Sequence, residues 1–274
     1  MKQIFTKNLA IAIASSALIL ASCHGNKSDK QTASTADSTN IKEISQNVKG
    51  VVYPLPTPFE MTRMLNNIGA TYVRGILNPV DKSEKYFTEK AKALNLGIYG
   101  ADLAYAATYE QKQDVKLYSQ SLKKLADDLG VNIDYSKLLS DEYKEKLNNK
   151  DTLSNVITST FYDTYKVLDQ KSNPNLAIMM ASGMWIELMY IATHISENTY
   201  HYPGIVKIIT DQKASYSKLM DLLKEHNSNA DIKDLESKLL ILKPVFDKID
   251  SGLHEKDYNL ILSTIQSVRK TLVS

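Results

Sequence analysis

Asn173 to Ile195 reads NPNLAIMMASGMWIELMYIATHI. From Leu176 to Ile195 the run holds one formal charge, Glu187, and the chain's single tryptophan, Trp185. Asn173 suits an N-cap and Pro174 the first helical position, so the pattern predicts a helix that starts there. A helix that is apolar on every side has to be enclosed by protein or by lipid. The rest of the chain supplies amphipathic helices to enclose it, so protein is the expected surrounding.

Upstream, Val51 to Pro58 (VVYPLPTP) holds three prolines at alternate positions and is expected to be extended. Thr57-Pro58-Phe59-Glu60 fits a capping box, opening a helix to about Ile68 that Gly69 stops. Phe59, Met64, Leu65 and Ile68 fall at helical spacing. A second helix is expected after Asp81 or Ser83, with Tyr86, Phe87, Ala91 and Leu94. Asn95-Leu96-Gly97 is expected to bend the chain, while Gly97 and Gly100 permit another backbone to come close. Further helices are expected over 98–109, 114–129 (closed by Gly130), and 151–168 (capped by Asp151), with shorter helical material over 136–147. Beyond the central run, the loop with Tyr200, Tyr202, Pro203 and Gly204 leads to helices over 205–225, 232–249 and 255–272. Pro244 should kink the second of these. The expectation is an all-α fold of about nine helices in a bundle or array.

Two apolar helices share a pattern. Asp102-Leu-Ala-Tyr105-Ala-Ala-Thr108 and Glu187-Leu-Met-Tyr190-Ile-Ala-Thr193 both read [DE]-L-x-Y-x-A-T. Each is preceded by a glycine and an aromatic (Gly97 and Tyr99; Gly183 and Trp185) and followed by a helix with Tyr-Ser, at 118–119 and 216–217. The match points to a duplicated helical unit, with chance likeness among Ala-, Leu- and Tyr-rich helices as the alternative.

Pro54-Leu55-Pro56, Asn95-Leu-Gly-Ile-Tyr-Gly-Ala-Asp-Leu103 and Gly183-Met-Trp-Ile-Glu187 resemble motifs of uncharacterised lipoproteins of the Bacteroidota. The resemblance implies a compartment and no activity. The first 22 residues agree with it. Lys2 and Lys7 form a basic start, Leu9 to Leu20 is an apolar core, and Leu20-Ala-Ser-Cys23 resembles a lipobox. In that class the chain is cut before the cysteine, which is acylated, so residues 1–22 read as a signal peptide and Cys23 as the lipidation site, palmitate included. Residues 23–46 lack aromatics, are rich in Ser, Thr, Asp and Lys, and read as a flexible tether. The run after Cys23 lacks the acidic stretch linked to surface export in that phylum, which points to an outer-membrane anchor facing the periplasm. Residues 47–274 are left for the helical domain.

Removing residues 1–22 from a chain with 33 basic and 31 acidic side chains takes away two lysines and no acid, leaving equal numbers of each sign. That balance argues against nucleic acid as a partner. With one cysteine in the chain, and that one acylated, no disulfide is expected, so the core has to supply the stability.

Few residues look chemical. Glu187 and His194 share a helix face with Tyr190 between them, and Asp102, Tyr105 and Tyr109 repeat the spacing. A carboxylate in an apolar helix must be paired, hydrogen-bonded or protonated. Asp102, Glu187 and His194 are therefore the candidate catalytic residues, and Tyr105, Tyr109, Tyr190 and Trp185 the candidate ligand-binding ones. The competing expectation is a satisfied polar network that fixes helix register. No HExxH, Glu-x-x-His pair, G-x-S-x-G or phosphate loop occurs, and no metal or cofactor is expected. His201, His226 and His254 read as isolated and exposed. The reading favoured is a non-enzymatic envelope lipoprotein that binds a protein or small-molecule partner. The alternatives are an enzyme with an acid/base site between the two apolar helices, and a purely structural envelope component.

Overall fold

The computed structural model describes residues 55, 57–133, 135, 150–170 and 173–274. The leader, Cys23, the tether, nearly all of the extended entry and the helical material expected over 136–147 lie outside the described residues. Helices α1 (Pro58–Asn67), α2 (Glu89–Thr108), α3 (Lys112–Asp128), α4 (Lys150–Gln170) and α5 (Pro174–His194) form the first part of the array. Helices α6 (Pro203–Thr210), α7 (Lys213–Glu225), α8 (Ala230–Leu239), α9 (Lys243–Lys248) and α10 (Glu255–Leu272) complete it. The fold is all-α, with no strand among the described residues.

Helix α5 stands at the centre and packs against α1, α2, α4, α6, α7 and α10. By length and composition it could cross a membrane, yet 94% of its most apolar window is buried inside the protein. Protein, not lipid, encloses it here. Asn173 sits at its N-cap but makes no side-chain capping bond, contrary to expectation. The first turn is closed by backbone alone, from the Leu176 N–H to the Asn173 carbonyl.

Helix α1 begins as its sequence predicts. The Thr57 hydroxyl accepts from the Glu60 N–H at 3.2 Å, and Glu60 accepts from the Thr57 N–H at 3.4 Å. Gly69, at φ +80°, lets the chain turn after it. The second helix starts later than expected, so that Tyr86 and Phe87 precede it while Ala91 and Leu94 lie inside it. Val80–Lys85 forms a 3-10 turn, and α2 starts at Glu89 with the Thr88 hydroxyl accepting from the Ala91 N–H.

Helix α2 then runs straight through Asn95-Leu96-Gly97, where a bend was expected. Asn95 does not turn the chain because its own polar groups are met within the fold. Its amide donates to the Ala91 and Leu272 carbonyls, each at 2.9 Å, and its oxygen accepts from Asn78 at 3.3 Å. Gly97 serves the contact with α5. A Cβ there would lie 1.9 Å from the Met180 carbonyl oxygen, and one at Gly183 would lie 2.1 Å from that of Leu94. The two apolar helices thus meet backbone to backbone, each supplying one glycine. Gly100, by contrast, faces only the Phe161 ring, at an ordinary 3.5 Å.

Three more boundaries differ from the pattern. Helix α4 is already under way at Lys150, so Asp151 lies inside it. The single helix expected over 205–225 is divided into α6 and α7 at Asp211-Gln212, where ψ flattens to −12° and 0°. Ile205, Ile208, Ile209, Gln212, Tyr216 and Leu219 keep helical spacing across the break, which is why the pattern did not reveal it. The helix expected over 232–249 ends at Leu239 and restarts at Lys243 after a 3-10 turn, Leu240–Leu242. Pro244 cannot donate to Leu240 and its ring crowds that carbonyl, so it takes a place in the first turn of α9 in preference to kinking one long helix.

Candidate functional site

Helices α2 and α5 run in the same direction. Gly97 lies against Met180 and Met184, and further along both helices Asp102 comes within hydrogen-bonding reach of Glu187. Both carboxylates are completely buried, at 0% exposure. The shared sequence pattern therefore does bring its two acids together at the centre of the fold.

Their partner comes from the far end of the chain. Arg269, on α10, donates from Nε and from its terminal nitrogen to the two oxygens of Glu187, both at 2.6 Å. The guanidinium also donates to the Ile76 carbonyl at 3.1 Å and stacks 3.9 Å from the centre of the Tyr190 ring. Bidentate arginine–carboxylate pairs are among the strongest charge-assisted hydrogen bonds. Burial works against the charge on Arg269, but Glu187, and then Asp102, more than offset it, and its pKa is raised. Asp102 is held differently. One of its oxygens accepts from the Asn78 N–H at 3.2 Å, and the other has no donor. Burial first, and then the charge of Glu187, push its carboxyl well above the usual range, with Arg269 pulling the other way.

Asn78 ties the surroundings together. Its amide donates to the Tyr86 hydroxyl and to Asn95, and its carbonyl accepts from Tyr118 at 3.1 Å. Tyr99 donates beside it to the Pro79 carbonyl at 2.8 Å. A polar layer formed by Asn78, Asn95, Asp102, Glu187 and Arg269 thus lies between α2, α5 and α10, walled by tyrosines.

The other residues singled out in the sequence fall elsewhere. His194 is one layer away, stacked on Tyr190 at 3.9 Å, with Nδ1 bonded at 3.0 Å to the Tyr190 carbonyl and at the same distance to the Thr193 hydroxyl. Burial, and to a smaller degree Arg269, lower its pKa. Arg269 and Tyr190 stand between it and the carboxylates, so the three candidate catalytic residues do not converge. Tyr105 and Tyr109 lie further along α2, where Tyr105 stacks on Tyr72 and Tyr109 packs tilted against both. The Tyr105 hydroxyl accepts from the Val73 N–H at 3.0 Å and donates to the Thr71 carbonyl, and burial pushes its pKa up to about 12. It pins the connection after α1 and is not free for a ligand. Trp185 is fully buried between Tyr216 and Phe246. His201 and His254 are exposed, whereas His226 is half-buried.

Arg74 pairs with Asp114 at 2.8 Å, which also accepts from Tyr72. Arg269 and Asn78 were missed in the sequence. A signal for Arg269 existed, because it stands one turn after Ile265 on the face that buries Ile261, Ile265 and Val268. No such signal marks Asn78, which lies in an irregular connection.

The cavities lie away from this layer. A hollow of about 110 Å³ is lined by Leu94, Met179, Leu235 and Leu272, with the Lys90–Asp231 and Lys238–Asp234 pairs at its rim. A wider groove of about 240 Å³ runs past Ile241, Ser263, Thr264 and Ser267. Neither is lined by Asp102, Glu187 or Arg269. Among the described residues, no group of three or more His, Cys, Asp or Glu side chains is placed to hold a metal ion. No family model, curated protein or solved structure matches the chain. The functional reading therefore rests on geometry and sequence.

Proposed function

We propose that the protein is a lipid-anchored component of a bacterial cell envelope, tethered through Cys23 and facing the periplasm. Its helical domain binds a partner through its outer surface and does no chemistry at its centre. The observation that carries this reading is the saturation of Glu187. Both oxygens are taken by Arg269, which is itself shared with the Ile76 carbonyl and the Tyr190 ring. A catalytic carboxylate needs a substrate atom within hydrogen-bonding reach. At Glu187 that place is taken by Arg269, and Asp102, whose second oxygen has no donor, is sealed from solvent at 0% exposure. A buried polar layer of this kind fixes the register of the helices that contribute to it.

The anchor rests on Leu20-Ala21-Ser22-Cys23 directly after a twelve-residue apolar run, with Cys23 the one cysteine of the chain. The test is complementation of a deletion strain, combined with labelled palmitate. The Cys23→Ser chain should fold, take up no label, leave the membrane fraction and fail to complement. Asp102→Asn should complement in full. Label retained on the serine variant would remove the anchor. Loss of complementation by a folded Asp102→Asn protein would hand the work to the buried carboxylates and overturn the non-catalytic reading.

A further inference from the structure

The polar centre holds two acids and one cation, all buried: Asp102 and Glu187 at 0% exposure and Arg269 at 9%. Arg269 occupies both oxygens of Glu187. Asp102 receives one hydrogen bond, from the Asn78 N–H, on one oxygen. Its other oxygen is buried with no donor, while the side chain lies within hydrogen-bonding reach of Glu187. Two ionised carboxylates in contact around one guanidinium would seal a net negative charge inside the fold. They would also leave an acceptor unmet, and each of these is costly. One proton removes both difficulties.

We propose that Asp102 and Glu187 share a single proton, carried on the unpaired oxygen of Asp102 and donated to Glu187, and that this proton is a pH-sensitive latch holding α2, α5 and α10 together. The choice of carrier follows from the donors. Glu187 has two charge-assisted donors and keeps the negative charge, whereas Asp102 has one backbone N–H. The charge count is then one anion to one cation. The titratable groups facing Asp102 are Glu187 from α5, Arg269 from α10, Tyr99 from its own helix, Tyr118 from α3 and Tyr72 from the connection after α1. All three tyrosines have raised pKa values, burial being the first cause, and stay neutral. None of them supplies a second cation. The latch reaches beyond the helices, because Arg269 holds the Ile76 carbonyl and Asp102 the Asn78 N–H. The segment around 76–78 is therefore clamped from both sides by the same layer.

Folding then takes up one proton at neutral pH. The folded-state pKa of Asp102 lies above the unfolded value of about 4. Its stabilising effect is complete below that value and is lost as pH rises through the folded one, at about tenfold in the unfolding constant per pH unit. Asp102→Asn supplies a permanent N–H in place of the titrating O–H. It should unfold at a higher denaturant midpoint than wild type at pH 8, and its stability should fall less steeply with rising pH by one proton. His194 titrates in both proteins, and its contribution cancels in the difference. Infrared spectra of the wild-type protein at pH 7 should show the carbonyl band of a neutral carboxylic acid, missing from Asp102→Asn. A wild-type spectrum without that band, or a variant with an unchanged slope, overturns the proposal. Should the variant not fold, the wild-type band decides alone, since Asp102 and Glu187 are the two acids with no exposure among the described residues.

Discussion

Arg269 and Glu187 make the sharpest statement at the scale of single residues. Two opposite outcomes were open for a buried glutamate in an apolar helix. With no cation nearby, replacement by glutamine would be neutral or stabilising; with one, it would be costly. The 2.6 Å fork from Arg269 selects the second. Glu187→Gln should cost about 1–3 kcal/mol, because one arm of a buried guanidinium would then face an amide NH2. Arg269→Ala should cost more, about 3–5 kcal/mol, since it strands a buried charge. Urea midpoints for both variants check the order. Equal stability of Arg269→Ala and wild type would mean the pair contributes nothing. The glycines at the crossing give a second residue-level test. Gly183→Ala places a methyl group 2.1 Å from the Leu94 carbonyl oxygen. Backbone must move to admit it, at about 1–3 kcal/mol or more. Gly100→Ala, facing a ring at 3.5 Å, should be tolerated or mildly stabilising.

Among the elements, α5 is the one on which the rest are arranged, and Trp185 is its largest anchor. The indole is enclosed by Tyr216 and Phe246 at centroid distances of 5.8 and 6.3 Å. Its emission should therefore be blue-shifted and poorly quenched by iodide. Trp185→Ala should cost about 3–5 kcal/mol where the site cannot collapse. Strong iodide quenching in the folded protein would contradict the burial of α5. The start of α2 depends on a different force. Thr88 caps it through one hydroxyl bond to the Ala91 N–H, so Thr88→Ala should cost about 1 kcal/mol. That value should be measurable as a shift in urea midpoint with no change in the slope of the transition.

For the whole molecule, two buried groups oppose one another as pH changes. His194 has a folded-state pKa below its unfolded value of about 6.5. Its contribution is present above that value and lost as pH falls through the folded one. Asp102 acts in the other direction, its contribution shrinking as pH rises. Between about pH 4 and 6.5 the two contributions therefore oppose one another. Relative to wild type, His194→Asn should gain stability as pH falls below about 6.5 and Asp102→Asn as pH rises above about 4, both readable from thermal midpoints taken at steps of pH. A His194→Asn protein that follows the wild-type profile below about pH 6.5 would show that the ring is charged equally well in both states.

How much of this was legible in the chain depends on the range of the interaction concerned. Local signals decided the capping box at Thr57, the turns after Gly69 and Gly130, and the span of α10, because each involves groups within a few residues of one another. Composition decided that α5 is apolar on every side and must be enclosed. The repeated [DE]-L-x-Y-x-A-T pattern was enough to single out Asp102 and Glu187, since a carboxylate in such a helix needs a reason to be there. Tertiary structure alone decided the rest. Asn95-Leu96-Gly97 stays helical because Leu272 and Asn78, distant in sequence, satisfy the asparagine, and because α5 fills the space a Cβ would need. Which acid carries the charge and which is left to hold a proton was settled by Arg269, 82 residues beyond Glu187. Spacing along one helix cannot encode a partner delivered by another, and in a buried site the partner determines the sign of every electrostatic effect.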